Sequence, residues 1–109
     1  MSAVFKVVRL SAILDAIKVG QFRQEIIKLV ESNVDIVLVD FSDVTFMDTS
    51  GLGALVSALQ TVRAAGGKFF ICSVNDQLRM LFELTSMDRV FKIYDHREAF
   101  ESALNSGQV

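Results

Sequence analysis

Two spacings of apolar residues alternate along this chain, one suited to strands and one to helices. Val4 to Leu10 is β-rich with Lys6 and Arg9 breaking it, the pattern of a first strand. Ser11-Ala12-Ile13-Leu14-Asp15 then carries the chain away from that strand. From about Val19 the spacing changes, and Phe22, Ile26, Leu29 and Val30 fall on one face of a helix. Arg23, Glu25 and Lys28 solvate its other side. Ile36-Val37-Leu38-Val39 is apolar without alternation and bounded by Asp35 and Asp40. Such a run suits a parallel strand covered on both faces.

A second helix is predicted after Asp48, with Leu52, Leu55, Val56 and Leu59 as its apolar stripe. It ends at Ala64-Ala65-Gly66-Gly67, where glycine can adopt the left-handed conformation that closes a helix. Lys68 to Cys72 reads as the next strand, and Asn75 caps a third helix carrying Leu78, Leu81 and Phe82. Val90 to Tyr94 is the last predicted strand. Asp95 and Glu98 have capping-box-like spacing before a final helix bearing Phe100 and Leu104. Strand and helix therefore alternate four times, which predicts an α/β fold with a mainly parallel four-stranded sheet and about four helices.

Composition narrows the function classes. A chain of 109 residues fits one domain, residues 1–109, and 51% hydrophobic residues with nine Phe supply a core. Charges interrupt every apolar stretch, and Lys6 and Arg9 break up the N-terminus, so neither a membrane span nor a signal peptide is predicted. The expected location is the cytoplasm. A net charge of −2 with scattered Lys and Arg lacks the footprint of a nucleic-acid binder. Cys72 is the only cysteine and His96 the only histidine, which leaves no spaced cluster for a metal and no intrachain disulfide. Cys72 sits in an apolar run and reads as a buried thiol. No cofactor is expected.

The informative segment runs from Phe41 to Gly53 and joins a buried strand to a helix, where sites form in α/β sheets. Asp48 is a good N-cap, because its carboxylate can accept from first-turn amides and favours the positive end of the helix dipole. Thr49 and Ser50 fall in or beside that first turn with hydroxyls near solvent. Gly51 and Gly53 remove side chains where another surface could approach the backbone. Taken alone, Asp48-Thr49-Ser50-Gly51 before an apolar helix is most simply a cap and a tight turn. Catalytic readings fail in turn. Ser50 interrupts the Asp-Thr-Gly of an aspartic protease, and Val56 stands where a dinucleotide fingerprint needs its third glycine. Ser50 also carries no signature of a Ser-His-acid triad. No catalytic residue is assigned, and the protein is not expected to be an enzyme.

Asp40-Phe41-Ser42-Asp43-Val44-Thr45-Phe46-Met47-Asp48-Thr49-Ser50-Gly51-Leu52-Gly53-Ala54-Leu55 closely resembles the signature of STAS domains in anti-sigma factor antagonists. Leu10 to Asp15, Ala65-Gly66-Gly67-Lys68 and Leu81 to Met87 extend the resemblance over nearly the whole chain. It implies a bacterial partner-switching regulator of transcription. In that family the unphosphorylated domain binds an anti-sigma factor that is a serine/threonine kinase. Phosphorylation after the motif aspartate releases it, and a serine/threonine phosphatase resets the switch. The matching hydroxyl here is Thr49, with Ser50 as the alternative. Asp15, Asp48, Thr49, Ser50, Gly51, Leu52 and Gly53 form the implied partner-binding set. The alternative within the fold is a STAS scaffold, or a subunit of a larger signalling or lipid-transport assembly, without phosphorylation switching.

The chain departs from the family at several positions. The family's additional N-terminal edge strand is expected to be absent, which predicts weak self-association through Val4 to Leu10. Lys18 stands where relatives carry Thr, removing an expected cap from the first helix. Met80, Leu84 and Met87 recur at helical spacing and read as core packing, with a flexible apolar contact surface as the minority reading. Asp76, Arg79, Glu83, Asp88 and Arg89 read as a solvated face.

Overall fold

The computed structural model describes residues 4–109. Its central strand is β3 (Ile36–Asp40), in which every residue is buried. A strand without polar alternation persists where both faces are covered. Here β1 (Phe5–Arg9) and β5 (Lys68–Cys72) flank it, and β6 (Lys92–Tyr94) lies beyond β5 in the order β1-β3-β5-β6. All three pairings are parallel, with Phe5 beside Ile36, Ile36 beside Lys68 and Phe70 beside Lys92.

Alternation along these strands sends side chains into two unequal cores. Val8, Val37, Val39, Phe69 and Ile71 face the larger one. There they meet Phe22 and Ile26 of α1 (Val19–Glu31), Leu55 and Leu59 of α2 (Thr49–Ala64), and Leu78 and Phe82 of α3 (Asp76–Leu84). Ile36, Leu38 and Cys72 face the smaller core, filled by Phe100 of α4 (Arg97–Asn105) with Phe5, Phe70 and Tyr94 around it. Phe82 is wholly buried and meets Phe41 at 6.2 Å and Phe91 at 5.8 Å between ring centroids, both near edge-to-face. Such aromatic pairs each add about 0.5–1.5 kcal/mol beyond their burial.

Helix ends follow the expected chemistry with two changes. The Asn75 side chain accepts from the Leu78 amide at 2.8 Å, and Gly66 takes a φ of 84° just past α2. At α4 the cap is His96, whose Nδ1 accepts from the Ala99 amide at 3.0 Å, and not Asp95. Asp95 instead pairs with Arg79 at 3.4 Å. Lys18 offers no cap, and Asp15 takes over the turn into α1. Its Oδ1 accepts from the Ile17 and Lys18 amides at 3.0 and 3.1 Å.

Other differences concern the end of α3 and the last strand. Met80 and Leu84 are 60% and 78% exposed, so the core-packing expectation fails for both. Each sits two residues past a buried position, Leu78 or Phe82, which turns it about 200° away from the core. Met87 does pack against the core. The strand predicted from Val90 begins only at Lys92. Ser86 adopts a left-handed φ of 60° and opens a 3-10 turn, Met87–Arg89, in which the Val90 and Phe91 amides both donate to the Met87 carbonyl.

Asn75 works in two directions, since its Nδ2 also donates to the Val44 carbonyl at 3.1 Å. Asn75→Ala is expected to lower stability by about 1–2 kcal/mol in urea denaturation. Asn75→Asp keeps the cap acceptor but loses the donor, and is expected to fall between the two.

Candidate functional site

The loop from Phe41 to Asp48 is held down at successive points rather than left free. The Val44 amide donates to the Phe41 carbonyl at 2.9 Å. The Thr45 amide and Oγ1 both donate to the Ala12 carbonyl, at 2.8 and 3.1 Å. These bonds bring β2 (Ile13–Leu14) and β4 (Phe46–Met47) together as a separate two-stranded parallel sheet, where the sequence predicts only connecting chain. In it Ile13 lies beside Phe46 and Leu14 beside Met47.

Side chains on these short strands must point to opposite sides. Leu14 and Met47 go inward and are buried. Ile13 and Phe46 go outward and are 44% and 53% exposed. Asp15 and Asp48 immediately follow the buried pair, so the structure brings these two predicted site residues to the same edge. Asp48 has an extended backbone and caps α2, its Oδ1 accepting from the Gly51 amide at 3.0 Å. Thr49 and Ser50 form the first two helical positions, and both are exposed. Asp15 and Asp48 are half-buried and spend carboxylate oxygens on backbone amides, which fixes their positions.

The two glycines have different roles from each other. A Cβ on Gly51 would lie 2.4 Å from the Leu14 carbonyl oxygen and 2.7 Å from Met47 Cγ. The surface approaching Gly51 thus belongs to this chain, and Gly51 is buried. A Cβ on Gly53 would meet nothing within 4 Å outside its own helix backbone and chain neighbours, and Gly53 is exposed. Leu52 is half-buried and packs against the larger core.

Three exposed apolar residues absent from the expected set lie in the segments that carry Asp15 and Asp48. Ile13 and Phe46 form an exposed apolar pair, and Ile17, in the turn tied down by Asp15, is 82% exposed. Adjacent apolar residues within two short segments were the available signal, because one of each pair had to face outward. Elsewhere, complete burial of Cys72 pushes its thiol pKa up through desolvation, as for an inert core thiol.

A parallel sheet with a capped helix start at the carboxyl end of its central strand, stapled by a second small sheet, defines the class. The STAS domain family model matches residues 2–100, and the chain belongs to that family. It is 37% identical to a TM1081 homolog of Thermotoga neapolitana over 59 residues, 54% of this chain and 52% of that one. The chain spans about half the length of the Thermotoga relatives it matches. With the anti-sigma F factor antagonist of Paenibacillus polymyxa it shares 25% identity over 91 residues, 83% of this chain and 78% of the relative. The anti-sigma factor antagonist SpoIIAA in its unphosphorylated form shares the fold, with a TM-score of 0.72 at 23% identity over 99% of this chain and 93% of that one. SpoIIAA has also been solved in a phosphorylated form. Among the described residues no helix is long and apolar enough to cross a membrane.

The contrast between the glycines is testable. Gly51→Ala is expected to destabilise by about 1–3 kcal/mol, since the added methyl meets backbone at the β2 edge. Gly53→Ala, in an open helical position, is expected to stabilise by about 0.5–1 kcal/mol. Urea midpoints measured side by side check both signs.

Proposed function

We propose that this chain is an anti-sigma factor antagonist that binds an anti-sigma factor of the serine/threonine kinase type through the surface around Thr49, and that phosphate on Thr49 releases it. The observation carrying this reading is an exposed Thr49 at the first position of α2, in the segment that directly follows the exposed Phe46 and its strand partner Ile13. Support also comes from relatives named as antagonists of anti-sigma F and anti-sigma-B factors. On this reading the chain acts in the cytoplasm on transcription, and a serine/threonine phosphatase restores the binding form.

Charge and solvation supply the switch. Phosphate adds about −1.5 to −2 charges at neutral pH. At the start of a helix, free amides and the positive end of the dipole accommodate that charge, so the fold survives modification. A partner seated on Ile13, Phe46 and the first turn of α2 would instead have to desolvate a dianion beside Asp48. Ile13, Ile17 and Phe46 give the unmodified surface its apolar contact area, while Asp15 and Asp48 hold its backbone in place.

Thr49→Ala is expected to keep the affinity for the anti-sigma factor, and Thr49→Asp to weaken it roughly a hundredfold, about 3 kcal/mol. Titration calorimetry on wild type and both variants reads this, with Ser50→Asp as the positional control. Equal affinities for all three would remove the switch. Continued binding by a kinase that leaves Thr49 unmodified would move the assignment to a scaffold role.

A further inference from the structure

At the far end of the sheet from Thr49, the starts of β5 and β6 frame a cavity of about 370 Å³. Arg63 from the last turn of α2, Lys68, Arg89 and Lys92 line it, with Asp88 as its one acidic residue. The chain as a whole holds 11 basic and 13 acidic residues, so this cavity reverses the overall sign. All four cationic side chains are exposed, and none takes part in the ion pairs among the described residues. The Lys92 ammonium lies 5.7 Å from the centre of the Tyr94 ring, which is not among the residues lining the cavity.

Individual placements have ordinary explanations. Arg63 complements the negative end of the α2 dipole, and Lys68 opens a strand at the surface. Neither explains why four cations from four separate elements line one concavity. Like charges gathered there repel one another, and a compact anion with several negative charges relieves that repulsion. Two guanidinium groups add the planar forks that bind phosphate oxygens in pairs. Phe70, half-buried, and Val90, 36% exposed, provide an apolar wall. The volume lies within the range of roughly 300–1,000 Å³ typical of small-molecule sites.

We infer that this cavity binds a soluble small molecule carrying two or more phosphate groups, at a site separate from Thr49. The inference does not depend on the antagonist reading.

Calorimetric titration with inorganic pyrophosphate and with orthophosphate, at matched ionic strength, tests it. Saturable one-site binding of pyrophosphate is expected, roughly tenfold tighter than orthophosphate and weakened by added salt. The double variants R63Q/R89Q and K68Q/K92Q are each expected to weaken pyrophosphate binding by roughly tenfold or more. These side chains lie outside both cores, so unchanged circular dichroism and a cooperative urea transition should accompany the loss. T49D should bind pyrophosphate as wild type does. Equal affinity for the two anions, or binding unmoved by either double variant, would overturn the inference. So would loss of pyrophosphate binding in T49D. Stronger retention on phosphatidylcholine vesicles containing phosphatidic acid, with no competition by pyrophosphate, would assign the cations to a lipid surface instead and also overturn it.

Discussion

The Leu14 carbonyl sits where β2, β4 and the first turn of α2 converge. It accepts from the Asp48 amide at 3.4 Å and faces the bare Cα of Gly51 on the other side. Because no Cβ intervenes, α2 packs directly onto the edge made by Leu14 and Met47, and the helix start cannot slide along it. The position of Thr49 depends on this closure, since Thr49 lies between the Asp48 cap and Gly51. Asp15, next to Leu14, extends the same constraint into α1 by holding the Ile17 and Lys18 amides. On the proposed reading, a surface that matches a partner before phosphorylation, and still holds its fold after it, benefits from such a rigid base. Phosphate added at Thr49 would then change what the surface presents without moving its frame.

An all-parallel sheet keeps its two ends chemically apart. Loops leaving the carboxyl ends of the strands gather the hydroxyls of Thr49 and Ser50, the carboxylates of Asp15 and Asp48 and the apolar pair Ile13 and Phe46. The opposite end gathers Lys68 and Lys92, which open their strands, with Arg63 and Arg89 brought in by the preceding elements. A five-residue strand such as β3 separates the two ends by about 15 Å, more than a Debye length at physiological salt. Charge added at one end therefore acts only weakly on the other.

What was legible in the sequence was whatever depends on near neighbours. The unbroken run Ile36 to Val39 announced a strand buried on both sides, and Asp48 and Asn75 announced the helices they cap, because capping is settled within three residues. Pairing between distant short segments was not legible. Nothing local in Ile13-Leu14 or Phe46-Met47 marks a two-residue strand, since each forms only when the other is held against it by the Thr45 to Ala12 bonds. For the same reason the outward faces of Ile13 and Phe46 are not legible, nor is the closing of Leu14, from a distant segment, over Gly51. At α3, helical spacing placed Met80 and Leu84 on one stripe correctly but not on the side facing solvent. At the last strand, the β-rich residues Val90 and Phe91 were claimed instead by the turn that Ser86 initiates.

The smaller core has an optical use. Tyr94 is the chain's only tyrosine, and tryptophan is absent. Its ring is half-buried, 5.4 Å from Phe100 of α4 and 5.9 Å from Phe70 of β5. At wavelengths beyond phenylalanine absorption, dichroism and emission therefore arise from a single phenol lodged between the last helix and the sheet. Undocking of α4 can be followed through that one chromophore, in the native chain and without any label.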